Sequence, residues 1–131
     1  MVALFVHDDA KTDLLALRKS EPQAAGRILA LLEQLEGDFD LLDRLTQHDF
    51  GAYGSADFHV SKWQEQWRKG RDLWRLKVWD LEDKGLRHRI VYAFIPSKKH
   101  YYVLAITPRR DFNYEERDPI TQRILRTYQE L

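Results

Sequence analysis

The chain has 131 residues, 21 basic and 21 acidic side chains, and no cysteine. That length fits one domain with a core of its own, and the lack of cysteine excludes disulfide frameworks and thiolate chemistry. No apolar run approaches the ~20 residues of a membrane span, and the opening "MVALFVHDDAK" lacks a basic n-region and a secretory h-region, so a cytoplasmic protein without membrane contact is expected.

In chain order, "VALFV" (2–6) reads as a short buried strand. "HDDAKTDLLALRKS" follows as a helix of roughly 9–19, with Asp8 or Asp9 as N-cap and Leu14, Leu15 and Leu17 on its apolar side. Ser20 is the expected N-cap of a second helix, roughly 21–36. Pro22 sits in its first turn, and Ile28, Leu31, Leu32 and Leu35 recur at helical spacing up to Gly37. The two helices form an αα-hairpin whose leucines are core. "DFDLLDRLTQ" predicts one further short helix.

The segment 50–70 is rich in Trp, Phe and Gly and reads as an irregular insertion, with a helical turn near Trp63 to Trp67. Three strands of an antiparallel meander come next. In "LWRLKVWD", Trp74, Leu76 and Val78 take one face, and Leu73, Arg75, Lys77 and Trp79 the other. A turn at "EDKG" leads to "RHRIVYAFI", and "PSKK" leads to "HYYVLAIT", which Pro108 closes. "DPITQRILRTYQEL" is a final helix with Asp118 as N-cap and Pro119 at its first position. The order β-α-α-(α)-β-β-β-α gives an α+β domain.

The charge is unevenly spread. Residues 1–61 hold 5 basic and 11 acidic side chains, 62–110 hold 13 and 5, and 111–131 hold 3 and 5. A basic middle points to a phosphate-bearing partner. The competing account is a basic sheet neutralised by acidic helices of the same chain. Catalytic signatures such as "HExxH", "GxSxG", a Gly-rich phosphate loop or Cys/His metal spacing are absent, and no metal or cofactor is expected.

What remains is basic and aromatic. Arg75 and Lys77 share a strand face. Pairing Lys77 with Arg89 on the next strand requires a register sum of 166, which an odd loop or a bulge at Gly85 permits. Asp80 and Glu82 are the only acids nearby, so charge pairing looks incomplete. Arg109 and Arg110 follow the third strand, with Tyr114 in the loop beyond. Guanidinium groups hold phosphate oxygens bidentately, so a phosphodiester suits this face.

"LWRLKV", "RHRIVYAF", "YYVLAITPRRDFNYEE" and the last "RIL" helix, after two short helices, resemble the RelE/ParE superfamily of bacterial toxins. The resemblance is best from Leu73 to Leu125. It implies a small α+β fold whose sheet cradles RNA on the ribosome, and a cognate antitoxin that covers that face. It further implies metal-independent cleavage of mRNA by attack of a ribose 2′-OH on the adjacent phosphate.

Carried onto this chain, the resemblance assigns a catalytic set of Arg75, Lys77, Arg89, Arg110 and Tyr114. Lys77 or Arg75 would assist deprotonation or bind the phosphate. Arg89 would stabilise the phosphorane, Arg110 would act as acid or clamp, and Tyr114 would stack on or orient a base. Arg87, Arg109, Trp79 and Lys98 are further expected contacts to RNA or phosphate. The chain is longer and more neutral than the typical small basic toxin. Two other readings stand beside the nuclease: a non-enzymatic toxin or binding module of the same fold, such as a gyrase-directed one, and a domain whose basic sheet only packs against its own acids.

Overall fold

The computed structural model describes residues 2–131. β1 (Ala3–Val6) leads into α1 (Asp8–Ser20), α2 (Pro22–Gly37) and the short α3 (Phe39–Asp43). After two single 3-10 turns come β2 (Phe58–Lys62), α4 (Gln64–Arg68), β3 (Leu73–Val78) and α5 (Trp79–Asp83). β4 (His88–Ile95), β5 (His100–Pro108) and α6 (Pro119–Gln129) complete the chain. The result is one small α+β domain. No helix of the described residues is long and apolar enough to cross a membrane.

The sheet has five strands in the order β1-β5-β4-β3-β2, antiparallel except for β1, which lies parallel to β5. The meander β3-β4-β5 lies where the alternation places it. Leu73 faces Ala93, Arg75 faces Val91 and Leu76 faces Ile90, so the β3–β4 register sum is 166.

Each face of the sheet has a different cover, as strand alternation requires. Trp74, Leu76, Val78, Ile90 and Tyr92 turn toward the hairpin of α1 and α2, whose Leu17, Ile28, Leu31, Leu32 and Leu35 complete the larger core. Leu73, Val91, Ala93 and Ala105 turn to the other side, where Ile124 and Leu125 of α6 cover them together with Trp63, Phe112 and Tyr114. α6 leaves the part of this face nearest β2 open.

Several local expectations need correction. The N-cap of α1 is His7, whose Nδ1 accepts the Asp9 N–H at 3.0 Å, not Asp8 or Asp9. Ser20 ends α1, and Glu21 breaks the hairpin with an extended φ of −142°. Segment 50–70 is not an insertion outside the sheet. It supplies the edge strand β2, which pairs antiparallel with β3 from Phe58–Val78 to Lys62–Trp74. The first two residues of "EDKG" belong to a full helical turn, α5, so Trp79 leaves the strand that alternation alone would extend. Asp118 caps α6 as expected, its Oδ1 accepting the Ile120 N–H at 2.8 Å.

Candidate phosphate-binding cleft

The open part of the sheet is a cleft of about 230 Å³, lined by His59, Ser61, Arg75, Leu76, Lys77, Arg89, Arg109 and Tyr114. β2 and β3 supply its floor. Ser61 faces Arg75 and His59 faces Lys77, so two polar groups stand beside two cations on one face. The ladder with β4 ends at Leu76–Ile90. One step further, the same register sets Lys77 opposite Arg89.

Three cations of this cleft, Arg75, Lys77 and Arg109, make no ion pair with a carboxylate among the described residues. Aromatic rings hold them instead. The Arg75 guanidinium lies 4.4 Å from the centre of the Tyr114 ring, and that of Arg109 lies 5.4 Å from the same ring. Lys77 Nζ is 4.9 Å from the Trp79 ring. A ring face attracts a cation but does not neutralise it. The groups therefore remain available to an anion, and their mutual repulsion is relieved when one binds.

Arg89 differs. Its NH1 bonds Glu82 of α5 at 2.5 Å, and each side chain is only 14% exposed. Glu82 also faces Arg87 at 3.9 Å. Pairing is incomplete in this region, as the sequence suggests: Glu82, one of the two nearby acids, is taken by Arg89 because α5 folds it back over the neighbouring strand.

Arg110 stands outside the cleft. It points to Glu21 at the α1–α2 turn, 3.6 Å away, with 69% of its side chain exposed. His88, nearly fully buried, sits 2.8 Å from the same carboxylate. The 3-10 turn Arg109–Asp111 sends the two adjacent arginines in different directions. Arg109 is the one that completes the cleft, and its NH1 is braced by a 2.6 Å bond to the Phe112 carbonyl.

Tyr114 also departs from the role expected of it. Its residue is 9% exposed, its ring packs on Trp63 and Phe112 at 5.5 Å and 4.3 Å, and its hydroxyl is buried without a hydrogen-bond partner. Burial holds the phenol above its ordinary pKa, while Arg75 and Arg89 pull in the opposite direction. A ring so enclosed supports Arg75 and Arg109 and offers no free face to a nucleobase.

Trp79 lines the neighbouring wall. It stacks on His59 with centroids 5.7 Å apart, and its Nε1 donates to the Gly51 carbonyl at 2.8 Å. Lys98 lies in the β4–β5 turn, at the opposite end of that hairpin from the cleft.

The cleft continues past its own rim. Lys77, Arg89 and Arg109 also line an adjoining depression of about 480 Å³ with Glu82, Asp83 and Arg87. Arg87 and Arg109 in turn share a third, of about 360 Å³, with Gly85 and Arg110. The cations thus form a track rather than a single socket. Sequence reading missed His59, Ser61 and the anchoring role of Gly51, since all three depend on β2 joining the sheet.

Comparison with protein-family models, with curated proteins and with solved structures gives no match for this chain.

Proposed function

We propose that this protein binds single-stranded RNA along the basic track and cleaves it in the cleft, as a toxin directed at mRNA on the ribosome. The observation that carries the reading is the convergence of Arg75, Lys77 and Arg109, from β3 and the end of β5, on one cavity without carboxylate partners. A run of depressions rimmed by Arg87, Arg89, Arg109 and Arg110 suits several successive phosphates better than a lone anion. The resemblance of residues 73–125 to RelE/ParE toxins supplies the substrate.

The reaction is attack of a ribose 2′-oxygen on the adjacent phosphorus. It forms a 2′,3′-cyclic phosphate and expels the 5′-oxygen, which takes up a proton. Charge accumulates on the non-bridging oxygens, and fixed guanidiniums act on it without reorganising. Arg75 and Arg109 are assigned that stabilisation, since Tyr114 and the Phe112 carbonyl already hold them. Lys77 brings the only amine among the lining residues and is assigned proton transfer. An acidic, partly disordered antitoxin segment is the partner that fits the unpaired cations when RNA is absent.

The test is primer extension on translated mRNA with purified wild type, Arg75→Ala and Arg109→Ala proteins. Discrete ribosome-dependent stops that disappear in both variants support the reading. A second reading, a non-enzymatic binder of the same fold, is favoured by the Arg89–Glu82 pair and the burial of Tyr114, which take two groups out of the expected catalytic set. Growth arrest without any mRNA cleavage by the wild type would select it.

A further inference from the structure

The loop before β2 holds an aromatic side chain that nothing in the fold uses. Tyr53 is fully exposed, yet its backbone is left-handed, with φ 60° and ψ 24°. A bulky residue there is strained, and such strain persists only where the surroundings impose it. The base of the loop is held tightly. Asp49 N–H donates to the Val60 carbonyl at 2.8 Å, and Val60 N–H returns a 2.9 Å bond to Phe50. Gly51, also left-handed, approaches Phe58 so closely that a Cβ would fall 1.7 Å from its carbonyl oxygen.

This loop is fixed to the wall of the cleft. Trp79 Nε1 holds the Gly51 carbonyl, and Asp49 Oδ1 holds His59 Nε2 at 3.1 Å. Tyr53 is two residues from Gly51, at most about 7.6 Å along the chain. The other aromatic groups here are engaged: Tyr114 is buried under two guanidiniums, and Trp79 carries His59 and Lys77. Resting on the RNA-binding reading above, we infer that Tyr53 is a stacking platform for a nucleobase of the strand whose phosphates occupy the cleft. Every base has a π-face, so such a platform binds without sequence preference. Two tight backbone bonds and a glycine fix the base of its loop before RNA arrives, so less of the loop remains to be ordered on binding.

The test compares wild type, Tyr53→Ala, Tyr53→Trp and Arg109→Ala. The probes are a fluorescent single-stranded DNA hexamer, which lacks the 2′-OH and is not cleaved, and inorganic tripolyphosphate as displacing competitor. Tyr53→Ala is expected to weaken hexamer binding on the order of 10-fold or more, as loss of one base–aromatic stack does. Its affinity for tripolyphosphate stays at the wild-type value, and Tyr53→Trp retains hexamer binding. Equal hexamer affinity in wild type and Tyr53→Ala, or equal loss toward both probes, overturns the inference. Failure of the underlying reading looks different: Arg109→Ala would then bind both probes like wild type.

Discussion

Arg89 and Glu82 meet at 2.5 Å, an acid of a five-residue helix holding a cation of the strand that follows it. A phosphate entering at Arg89 competes with this carboxylate. Replacing Glu82 by Gln keeps the shape and removes the competing charge. Binding of a short single-stranded oligonucleotide is expected to tighten about fivefold, the equivalent of ~1 kcal/mol. Fluorescence anisotropy at low salt measures it. Unchanged or weaker binding would show that Arg89 plays no part in anion capture.

Arg109 and Arg110 are adjacent in sequence but face different surroundings, the cleft for Arg109 and Glu21 for Arg110. Arg109→Ala is expected to slow ribosome-dependent mRNA cleavage by roughly 10²–10³-fold, the loss of one preorganised charge-stabilising donor. Arg110→Ala removes a charge already turned toward Glu21, and its rate is expected to stay within a factor of about 10. Thermal melts accompany the assay, because Arg109 also braces the Phe112 carbonyl. That bond is worth about 1.5–3 kcal/mol. Equal loss in the two variants would return Arg110 to the site.

The Tyr114 hydroxyl is buried with no well-formed hydrogen bond, although the Arg75 guanidinium lies close enough to act on it, so Tyr114→Phe discards a desolvated group that gains little from folding. Stability at neutral pH is expected to hold or rise, and cleavage to persist. Tyr114→Ala removes the ring under both guanidiniums and is expected to cost about 3–5 kcal/mol and most RNA binding. The sign of the pH effect follows from the raised pKa. The folded state disfavours the phenolate, so stability is complete below the unfolded value near 10 and falls as pH rises through the higher folded value. Denaturant titrations at alkaline pH should find a shallower loss in Tyr114→Phe than in wild type. Cleavage abolished by Tyr114→Phe would make the hydroxyl a reactive group.

Asp13 joins three elements. It receives two bonds from Arg123 of α6, at 2.9 and 2.6 Å, and the Ile106 N–H of β5 at 3.0 Å. Asp13→Ala leaves the Ile106 N–H without an acceptor and a half-buried guanidinium with only the Leu104 carbonyl at 3.3 Å and the Asp9 carboxylate at 4.0 Å. Chemical denaturation is expected to show a loss of about 2–4 kcal/mol. Asp13→Asn, which keeps one acceptor, is expected to lose less. A change under 0.5 kcal/mol in the alanine variant would reduce the cluster to surface decoration.

The elements with strong local signals were legible in the sequence. Pro22, Pro119 and Asp118 mark helix starts, the spacing of Ile28, Leu31 and Leu35 gives the buried side of α2, and the alternation of 73–78 gives the two faces of β3. Even the register sum of 166 was open to argument, because Gly85 takes the left-handed conformation that ends α5. β2 was not legible. Its five residues hold only Phe58 and Val60 as an apolar side, and its extended state comes from pairing with β3 rather than from its own preference. The cleft was half legible. Residues on strands could be assigned to a face by parity. Parity has no meaning in the turn after β5, where the choice between Arg109 and Arg110 and the burial of Tyr114 are decided by a 3-10 turn and a left-handed residue.

The parallel pairing of β1 with β5 also sets an order of events during synthesis. Residues 3–6 have their partners in residues 100–103, and at ~5–20 residues per second they wait about 5–20 s for them. Throughout that time α1 lacks its anchor at Ile106, and the α1–α2 hairpin has only part of the sheet to cover. The same late stretch delivers Arg109. A nascent chain that stops before β5 therefore lacks both the strand that joins β1 to the rest of the sheet and, with Arg109, part of the cation set, so sheet and cleft reach completion together.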